Sequence, residues 1–134
     1  MQAYQRILPI LEEMSATVVA LSPQGAEKSR AGAGEAGLTF PVLSDRGNRI
    51  ARLYRLVFPV GEPLRRVFLE VAGIDLKAVN EEDSWELPIP GTFIVDSRGV
   101  VRLAFVHADY TRRLEPSEIL RRLRLLRRDA ASRD

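Results

Sequence analysis

Few side chains in this sequence could carry out covalent or metal chemistry. The 134 residues include no cysteine and one histidine, His107. Thiolate chemistry, disulfides and cysteine-rich metal sites are therefore excluded for these residues, and a single histidine cannot build a metal site of ordinary ligand spacing. The alcohols Ser15, Ser22 and Ser29 have no histidine base beside them in the sequence. We therefore assign no catalytic residue, no metal site and no cofactor.

The charged residues form no catalytic pair either. Asp45 and Asp96 follow predicted strands, and we interpret them as turn or cap residues rather than as catalytic acids. His107 lies at a predicted strand end, where a surface histidine or one satisfied by a partner is the expected type. Arg112 and Arg113 could supply positive charge to a site, but solvated arginines are the simpler interpretation.

The composition fits one folded domain over residues 1–134. Hydrophobic residues make up 46% and charged residues 28%, which are ordinary values for a globular chain that buries a core. No apolar run approaches the roughly 18 residues of a membrane span. The first stretch, MQAYQRILPILEEM, contains acids and a proline and is a poor signal peptide. We expect a cytoplasmic protein without membrane contact.

The basic residues are concentrated late, in RRLEPSEILRRLRLLRRDAASRD, although the net charge is only +2. A basic patch can bind nucleic acid. Here acids are interspersed, and no aromatic residues interleave for base stacking. We therefore favour the solvated face of an amphipathic helix and expect no nucleic-acid partner.

The elements that must position any site alternate between helix and strand. The first half of the chain predicts a helix over 4–14 kinked at Pro9, a buried parallel strand over 17–21, a helix from Ser22 to about 35 and a strand over 40–45. A helix that includes Val57 is predicted after Asp45, followed by a helix over 62–71 and a loop over 78–84. The last part predicts an antiparallel hairpin of 92–96 and 100–106 and a helix from Pro116. This order indicates an α/β fold with a mixed sheet flanked by helices.

Two prolines stand directly before the hairpin, in WELPIPGTFIVDSRGVVRLAFV. Proline cannot donate to a β-ladder, so Pro88 and Pro90 must precede the strand or lie on its edge. On local chemistry alone, both rigidify the start of the strand. Trp85 either walls a pocket by excluding water or is a partly buried packing residue, and the sequence does not favour one interpretation over the other.

Four segments together resemble the peroxiredoxin-like branch of the alkyl hydroperoxide reductase/thiol-specific antioxidant family: SPQ after a strand, FPVLSDRGNRIARLYRLVF, WELPIPGTFIVDSRGVVRLAFVHADYTRR and EPSEIL. The resemblance extends over residues 4–126 and implies a thioredoxin-like fold. In that fold a cis-proline precedes the third core strand and faces the redox cysteine. The resemblance therefore implies a cis Ile89–Pro90 bond. It also implies active-site-proximal positions for Ile89, Pro90, Gly91 and Thr92. Trp85 is a further candidate next to the active site, as the residue that would wall its pocket.

The resemblance also indicates what this sequence lacks. Relatives usually carry a Cys-x-x-Cys-like pair on the first turn of the kinked helix, where free N–H groups stabilise a thiolate. This sequence begins at Met1, already inside that helix, so we expect a domain that is incomplete at its N-terminus. The absent central strand would leave the strands 17–21 and 92–96 with unpaired edges. We expect low stability, rearrangement, or pairing with a second copy.

Three functions follow. The first is membership of a thiol-dependent peroxidase or thiol–disulfide oxidoreductase (antioxidant) family that acts on a peroxide or a disulfide, with this cysteine-free chain inactive as given. Peroxiredoxins carry an arginine where this sequence has Pro90, which favours general thiol–disulfide chemistry. The second is a cysteine-free binding or assembly module that dimerises through its strand edges. The third is a nucleic-acid role of the C-terminal basic helix.

Overall fold

A computed structural model describes residues 1–131. The helices are α1 (Gln2–Gln5), α2 (Leu8–Glu13), α3 (Ala26–Glu35), α4 (Arg49–Leu53), α5 (Glu62–Arg66), α6 (Leu76–Asn80) and α7 (Pro116–Ala131). The strands are β1 (Ala20–Ser22), β2 (Val42–Ser44), β3 (Val57–Pro59), β4 (Glu86–Pro88), β5 (Gly91–Val95) and β6 (Val101–Val106). A 3₁₀ turn (Arg46–Asn48) precedes α4, and a π-helical run (Val67–Val71) follows α5.

The described residues fall into two compact units. Unit 1 combines Met1–Val18 with the described residues from Pro90 onward, and unit 2 is Val19–Ile89. Among residues 1–131, no helix is long and apolar enough to cross a membrane. The assignment of a single domain to residues 1–134 stays a prediction.

Unit 1 begins with two short helices in place of the one kinked helix that was predicted. α1 ends at Gln5 and α2 starts at Leu8, with Pro9 in the first turn of α2. A proline is tolerated there because the first N–H groups of a helix have no partner inside it. Pro9 therefore interrupts the helix just before its own position, as its fixed φ and missing donor require.

The core of unit 1 lies between the helices and the β5–β6 hairpin. The hairpin is antiparallel, as predicted, with Ile94 opposite Leu103. The buried cluster consists of Leu11, Ile94, Leu114 and Ile119. The predicted apolar stripe of α7 is confirmed, because its remaining residues pack against this cluster: Leu120, Leu123 and Leu126.

In unit 2, β1 and β2 pair in parallel, as predicted, but they are neither long nor buried. Leu21 and Leu43 are in register, and their exposed fractions are 52% and 50%. The prediction of a buried strand over 17–21 is therefore wrong. Each strand has only three residues, and α3 is the helix that contacts β2. Successive side chains of a strand point to opposite faces of the sheet, and on this two-stranded sheet Leu21 and Leu43 point to a face that is open to solvent.

The start of α3 also differs from prediction. Ser22 belongs to β1, and its Oγ accepts a hydrogen bond from the N–H of Gln24, 3.2 Å away, in the following turn. The helix begins only at Ala26, after Gly25. Its end is as predicted: α3 stops at Glu35, and Gly37 follows with φ of +63°, a value that favours glycine.

The short strands β3 and β4 were missed. Val57, which we predicted on a helix face, lies in β3 and pairs antiparallel with Pro88 of β4. In a two-stranded sheet both strands are edges, so Pro88 is tolerated. The predicted loop 78–84 overlaps the end of α6 (Leu76–Asn80). Both strand directions occur among the described residues, but in three separate two-stranded sheets, of which β1–β2 is parallel and the other two are antiparallel.

Candidate functional site

The start of β5 carries three of the predicted site residues, Pro90, Gly91 and Thr92, within unit 1. Gly91 pairs with Val106 of β6. A Cβ on Gly91 would lie 2.8 Å from Cε2 of Phe93 and 3.3 Å from Cγ2 of Val106. Any larger residue would therefore displace the Phe93 ring, so close packing requires glycine at this position.

A chain of hydroxyl groups fixes the next residue. The Tyr4 hydroxyl lies 3.3 Å from Oγ1 of Thr92 and donates to the carbonyl oxygen of Leu114 at 2.9 Å. Because the Tyr4 proton is used on Leu114, Thr92 must be the donor to Tyr4. This chain ties α1, β5 and the segment before α7 together. Sequence reasoning missed Tyr4, whose partner Thr92 is 88 positions away.

The other two predicted residues, Trp85 and Ile89, flank β4 in unit 2. The Trp85 carbonyl accepts from the N–H of Val60 at 2.8 Å, and the N–H of Ile89 donates to the Leu56 carbonyl at 2.8 Å. These bonds extend the β3–β4 ladder at both ends. Main-chain groups of both residues are therefore already occupied within unit 2.

Arg65 contacts the Trp85 ring and was also missed by sequence reasoning. Its guanidinium carbon lies 5.7 Å from the ring centroid, a cation–π distance. Its Nε donates to the Val60 carbonyl at 2.7 Å. Arg65 is in α5, whereas Trp85 precedes β4. Because β3 and β4 pair, Val60 and Trp85 are brought together beneath this arginine.

Each strand of the three two-stranded pairs has one edge without a strand partner, and β1 and β5 are among them. Within residues 1–131, β1 pairs only with β2, and β5 pairs only with β6. The expectation of one unpaired edge on each of these strands is therefore confirmed. Such an edge offers N–H and C=O groups to an incoming extended segment.

A comparison against protein-family models finds one model that matches most of this chain. The model described as the AhpC/TSA family matches residues 1–104. The chain belongs to the AhpC/TSA family. The match covers α1 through β5 and part of β6. A search of curated proteins found no match.

Membership of the AhpC/TSA family implies a thioredoxin-like fold and a place among thiol peroxidases and oxidoreductases that act on peroxides and disulfides. The redox group of such chemistry is a thiolate. None of the 134 residues is a cysteine. Within residues 1–131, no group of three or more histidine, aspartate or glutamate side chains is placed to hold a metal ion.

The cis bond implied for Ile89–Pro90 in this AhpC/TSA chain is wrong: peptide bonds of the described residues are all trans. The trans form of an X-Pro bond is favoured by about 0.5–1 kcal/mol. The N–H of Ile89 continues the β3–β4 ladder, and Gly91 opens β5 directly after Pro90.

The polar residues of the loop after β6 bind one another. Nδ1 of His107 accepts from the N–H of Asp109 at 3.0 Å, and its Nε2 lies 3.1 Å from Nη1 of Arg112. Arg113 donates to the carbonyls of Tyr110 and Arg112. His107 is thus a histidine satisfied by partners, as predicted. The two arginines are held by their own loop in this structure.

The two aspartates are structural, as predicted. Asp96 accepts from the N–H groups of Arg98 and Val100 and from Nε of Arg102, at 2.9, 3.0 and 2.7 Å. The bond from Val100, assisted by the side chain of Arg102, lowers the pKa of the Asp96 carboxyl below its ordinary value. Buried Asp45 accepts from two N–H groups at the start of α4.

Each unit has a surface groove among its described residues. One, in unit 1, runs between α2 and α7 and is lined by Ile10, Glu13, Met14, Arg124, Arg127 and Arg128. The other, in unit 2, runs along α3 and β2. Neither groove is lined by Trp85 or by residues 89–92.

Proposed function

We propose that this chain is a thioredoxin-like scaffold from a thiol-dependent antioxidant family and does not itself carry out the thiol step. The observation behind the proposal is the absence of cysteine from all 134 residues of an AhpC/TSA chain. A thiolate attacks the peroxide O–O bond or the disulfide sulfur. A serine needs an adjacent base to act as a nucleophile, and His107 is bound within its own loop.

The thiol would therefore come from outside these 134 residues, on another segment or another molecule. We place Trp85, Ile89, Pro90, Gly91 and Thr92 next to that thiol. The support is the family resemblance together with the extent of the family match, which includes all five positions. The peroxide or disulfide substrate, and a cytoplasmic location where thiols stay reduced, belong to the same proposal.

A second candidate function is binding or assembly without redox chemistry. The observation that favours it is the unpaired edge on each of β1 and β5. An extended segment of a partner, or a second copy of the chain, would add a strand there through main-chain hydrogen bonds. This proposal involves no nucleic acid and no membrane.

The test measures turnover of hydrogen peroxide, an organic hydroperoxide and a protein disulfide, with dithiothreitol as reductant. We expect the rate with the chain present to equal the rate with dithiothreitol alone. A cysteine-containing member of the family serves as the positive control in the same buffer. Turnover that rises in proportion to the concentration of a preparation verified by mass spectrometry would show that the chain is an enzyme without a thiol and would overturn the proposal.

A further inference from the structure

A groove in unit 2 lies between α3 and β2. On the strand side it is lined by three consecutive residues, Val42, Leu43 and Ser44. Because successive side chains of a strand point to opposite faces of the sheet, three consecutive residues can line one groove only where it follows the edge of the strand. We call this feature the β2 edge groove. It offers the main chain of β2, and not only its side chains, to a ligand.

The main chain of β2 has hydrogen-bonding groups that β1 does not use. The Pro41 carbonyl accepts from the first N–H of β1 at 2.9 Å, and the N–H of Asp45 donates to the last carbonyl of β1 at 2.7 Å. Main-chain groups alternate in direction along a strand, so Leu43, midway between these two residues, also faces β1. Val42 and Ser44 therefore face the groove. Among residues 1–131, no strand pairs with this outer side of β2, so an extended segment can bond to it.

The helix side of the groove leaves room for the side chains of such a segment. Ala26, Arg30 and Gly34 follow one another at intervals of four residues, so they share one face of α3. A Cβ added at Gly34 would meet no atom within 4 Å beyond its chain neighbours and the backbone of its own helix. Leu38 and buried Phe40, which lead from α3 to β2, also line the groove and make this end of it apolar.

The charge of the groove favours an acidic ligand. Among the described residues that line it, Arg30 alone is charged, and this residue is exposed. Within residues 1–131, Arg30 takes part in none of the ion pairs. A guanidinium group binds a carboxylate through two parallel hydrogen bonds. A single cation is too little for nucleic acid, whose binding depends on several phosphate contacts.

We propose that the β2 edge groove binds an extended acidic segment of a partner protein, which adds a strand to β2. The main chain of the segment bonds to Val42 and Ser44, and an acidic side chain of the segment pairs with Arg30. The groove is formed by unit 2 alone. It uses a different edge from those of β1 and β5, and it does not depend on the proposal about the thiol.

The spacing of the helix side matches the spacing of side chains on an extended segment. Residues four apart in a helix are separated by about 6 Å along its axis. Side chains two positions apart on a strand are separated by about 6.6 Å on the same face. When one side chain of the segment lies at Arg30, the side chain two positions away therefore lies beside Gly34, at the apolar end of the groove. We expect a segment with an acidic and an apolar residue two positions apart.

The experiment selects ligands from a phage-displayed library of random short peptides, with the whole chain as the target. We expect the selected peptides to share an acidic and an apolar residue two positions apart. A selected peptide is labelled with fluorescein, and its binding is measured by fluorescence anisotropy. Gly34→Leu, which fills the groove, and Arg30→Glu, which places an acid against the acidic side chain, should each weaken binding about tenfold or more.

Gly32→Leu is the matched control for Gly34→Leu. Gly32 lies in the same helix, and a Cβ added there would also meet no neighbouring atom within 4 Å, but Gly32 does not line the groove. Both substitutions raise the helix propensity of α3 by the same amount. Gly32→Leu should therefore bind the peptide like wild type, and far-UV circular dichroism checks that each variant is folded.

Nuclear magnetic resonance locates the bound peptide. We expect slower hydrogen exchange at the amides of Val42 and Ser44, and a smaller change at Leu43, whose N–H faces β1. The proposal is overturned if the library yields no peptide that prefers wild type to Gly34→Leu. Slowed amides in β1 or β5 instead of β2 would indicate those edges and would also overturn it. A wild-type chain whose own dimerisation is lost in Gly34→Leu would show that a second copy occupies the groove, and the proposal of a partner would fail.

Discussion

Unit 1 and unit 2 bury different kinds of side chain. The buried residues of the unit 1 core are all apolar and form one cluster around Leu11 and Ile94. Unit 2 has three buried apolar residues, namely Phe40, Val60 and Leu76. It also contains the four buried polar residues found in the described chain: Ser29, Asp45, Asn48 and Asn80. The interior of unit 1 is therefore apolar, whereas the interior of unit 2 also contains polar side chains.

The difference follows from the lengths of the elements. Unit 1 has the 16-residue helix α7, which presents a continuous apolar stripe. In unit 2 no described helix exceeds ten residues, and each strand has three. Short elements leave many backbone groups without partners at their ends. Side chains such as Asp45 must satisfy those groups, so unit 2 depends on hydrogen bonds where unit 1 depends on apolar volume.

The hydrogen bonding of the buried polar side chains in unit 2 is incomplete at Asn48. Its Nδ2 lies 3.5 Å from the Glu86 carbonyl, while its buried Oδ1 has no partner among the described residues. A buried polar atom without a partner costs about 1–3 kcal/mol. The residue also has φ of +54°, a conformation that asparagine tolerates better than most residues. Its backbone role at the start of α4 thus accounts for the residue type.

The largest loss of stability is expected from a substitution in the core of unit 1. Leu11→Ala removes a side chain that is only 3% exposed and leaves a cavity next to Ile94 and Ile119. We expect the free energy of unfolding to fall by about 2–5 kcal/mol. Urea denaturation followed by circular dichroism measures it. Leu53→Ala, at a position 78% exposed, is the matched control and should change stability by less than about 0.5 kcal/mol.

An equal loss in the two leucine variants would contradict the assignment of Leu11 to the core. A loss confined to Leu11→Ala would support the view that unit 1 is held by apolar volume.

The second effect breaks the polar interior of unit 2. Asp45→Ala removes the acceptor of the bonds from Ile50 N–H and Ala51 N–H, at 2.8 and 2.9 Å. We expect a loss of about 1–3 kcal/mol, because two donors at the start of α4 lose their partner. Asp45→Asn keeps one oxygen and should lose less. Hydrogen exchange at the amides of Ile50 and Ala51 locates the effect.

The control for Asp45 is Asp83→Ala, which removes a carboxylate that is 91% exposed and pairs with Lys77. Exposed pairs of this kind contribute little to stability, because solvent screens the two charges. If Asp45→Ala proved no more costly than Asp83→Ala, unit 2 would not depend on its buried carboxylate, and the comparison of the two units would fail.

The smallest change in stability is expected in unit 1, at Asp96 in the turn between β5 and β6. The bond from Val100 and the Arg102 side chain lower the pKa of Asp96 below its ordinary value of 3.8. A lowered folded-state pKa means that the contribution to stability is present above 3.8 and is lost as the pH falls through the folded-state pKa. Melting temperature against pH measures it, and Asp96→Asn should flatten the curve in this range. An unchanged curve would show that the turn does not stabilise the hairpin.

Long periodic segments were predictable from the sequence. The apolar stripe of α7, the hairpin at β5–β6, the glycine that follows α3 and the proline break in the first helix all rest on local patterns. The family resemblance rested on segments in the right order, and the match over residues 1–104 confirms it. The absence of a cysteine thiol from these 134 residues can be read from the composition alone.

What could not be predicted depends on contacts between distant positions. β3 and β4 have three residues each, too few to show a period, and they exist because Val57 and Pro88 meet. The sequence identified Trp85 but not Arg65, because their contact requires that pairing. It identified Thr92 but not Tyr4 for the same reason.

Which chemistry is open to these residues follows from the composition, because the presence or absence of a sulfur nucleophile does not depend on folding. The elements whose signals are local follow from the sequence as well. The Ile89–Pro90 isomer and the partners of the site residues depend on the tertiary structure. The physical reason is that these features are set by neighbours far along the chain, and the free energies that separate the alternatives are small beside the sum of those contacts.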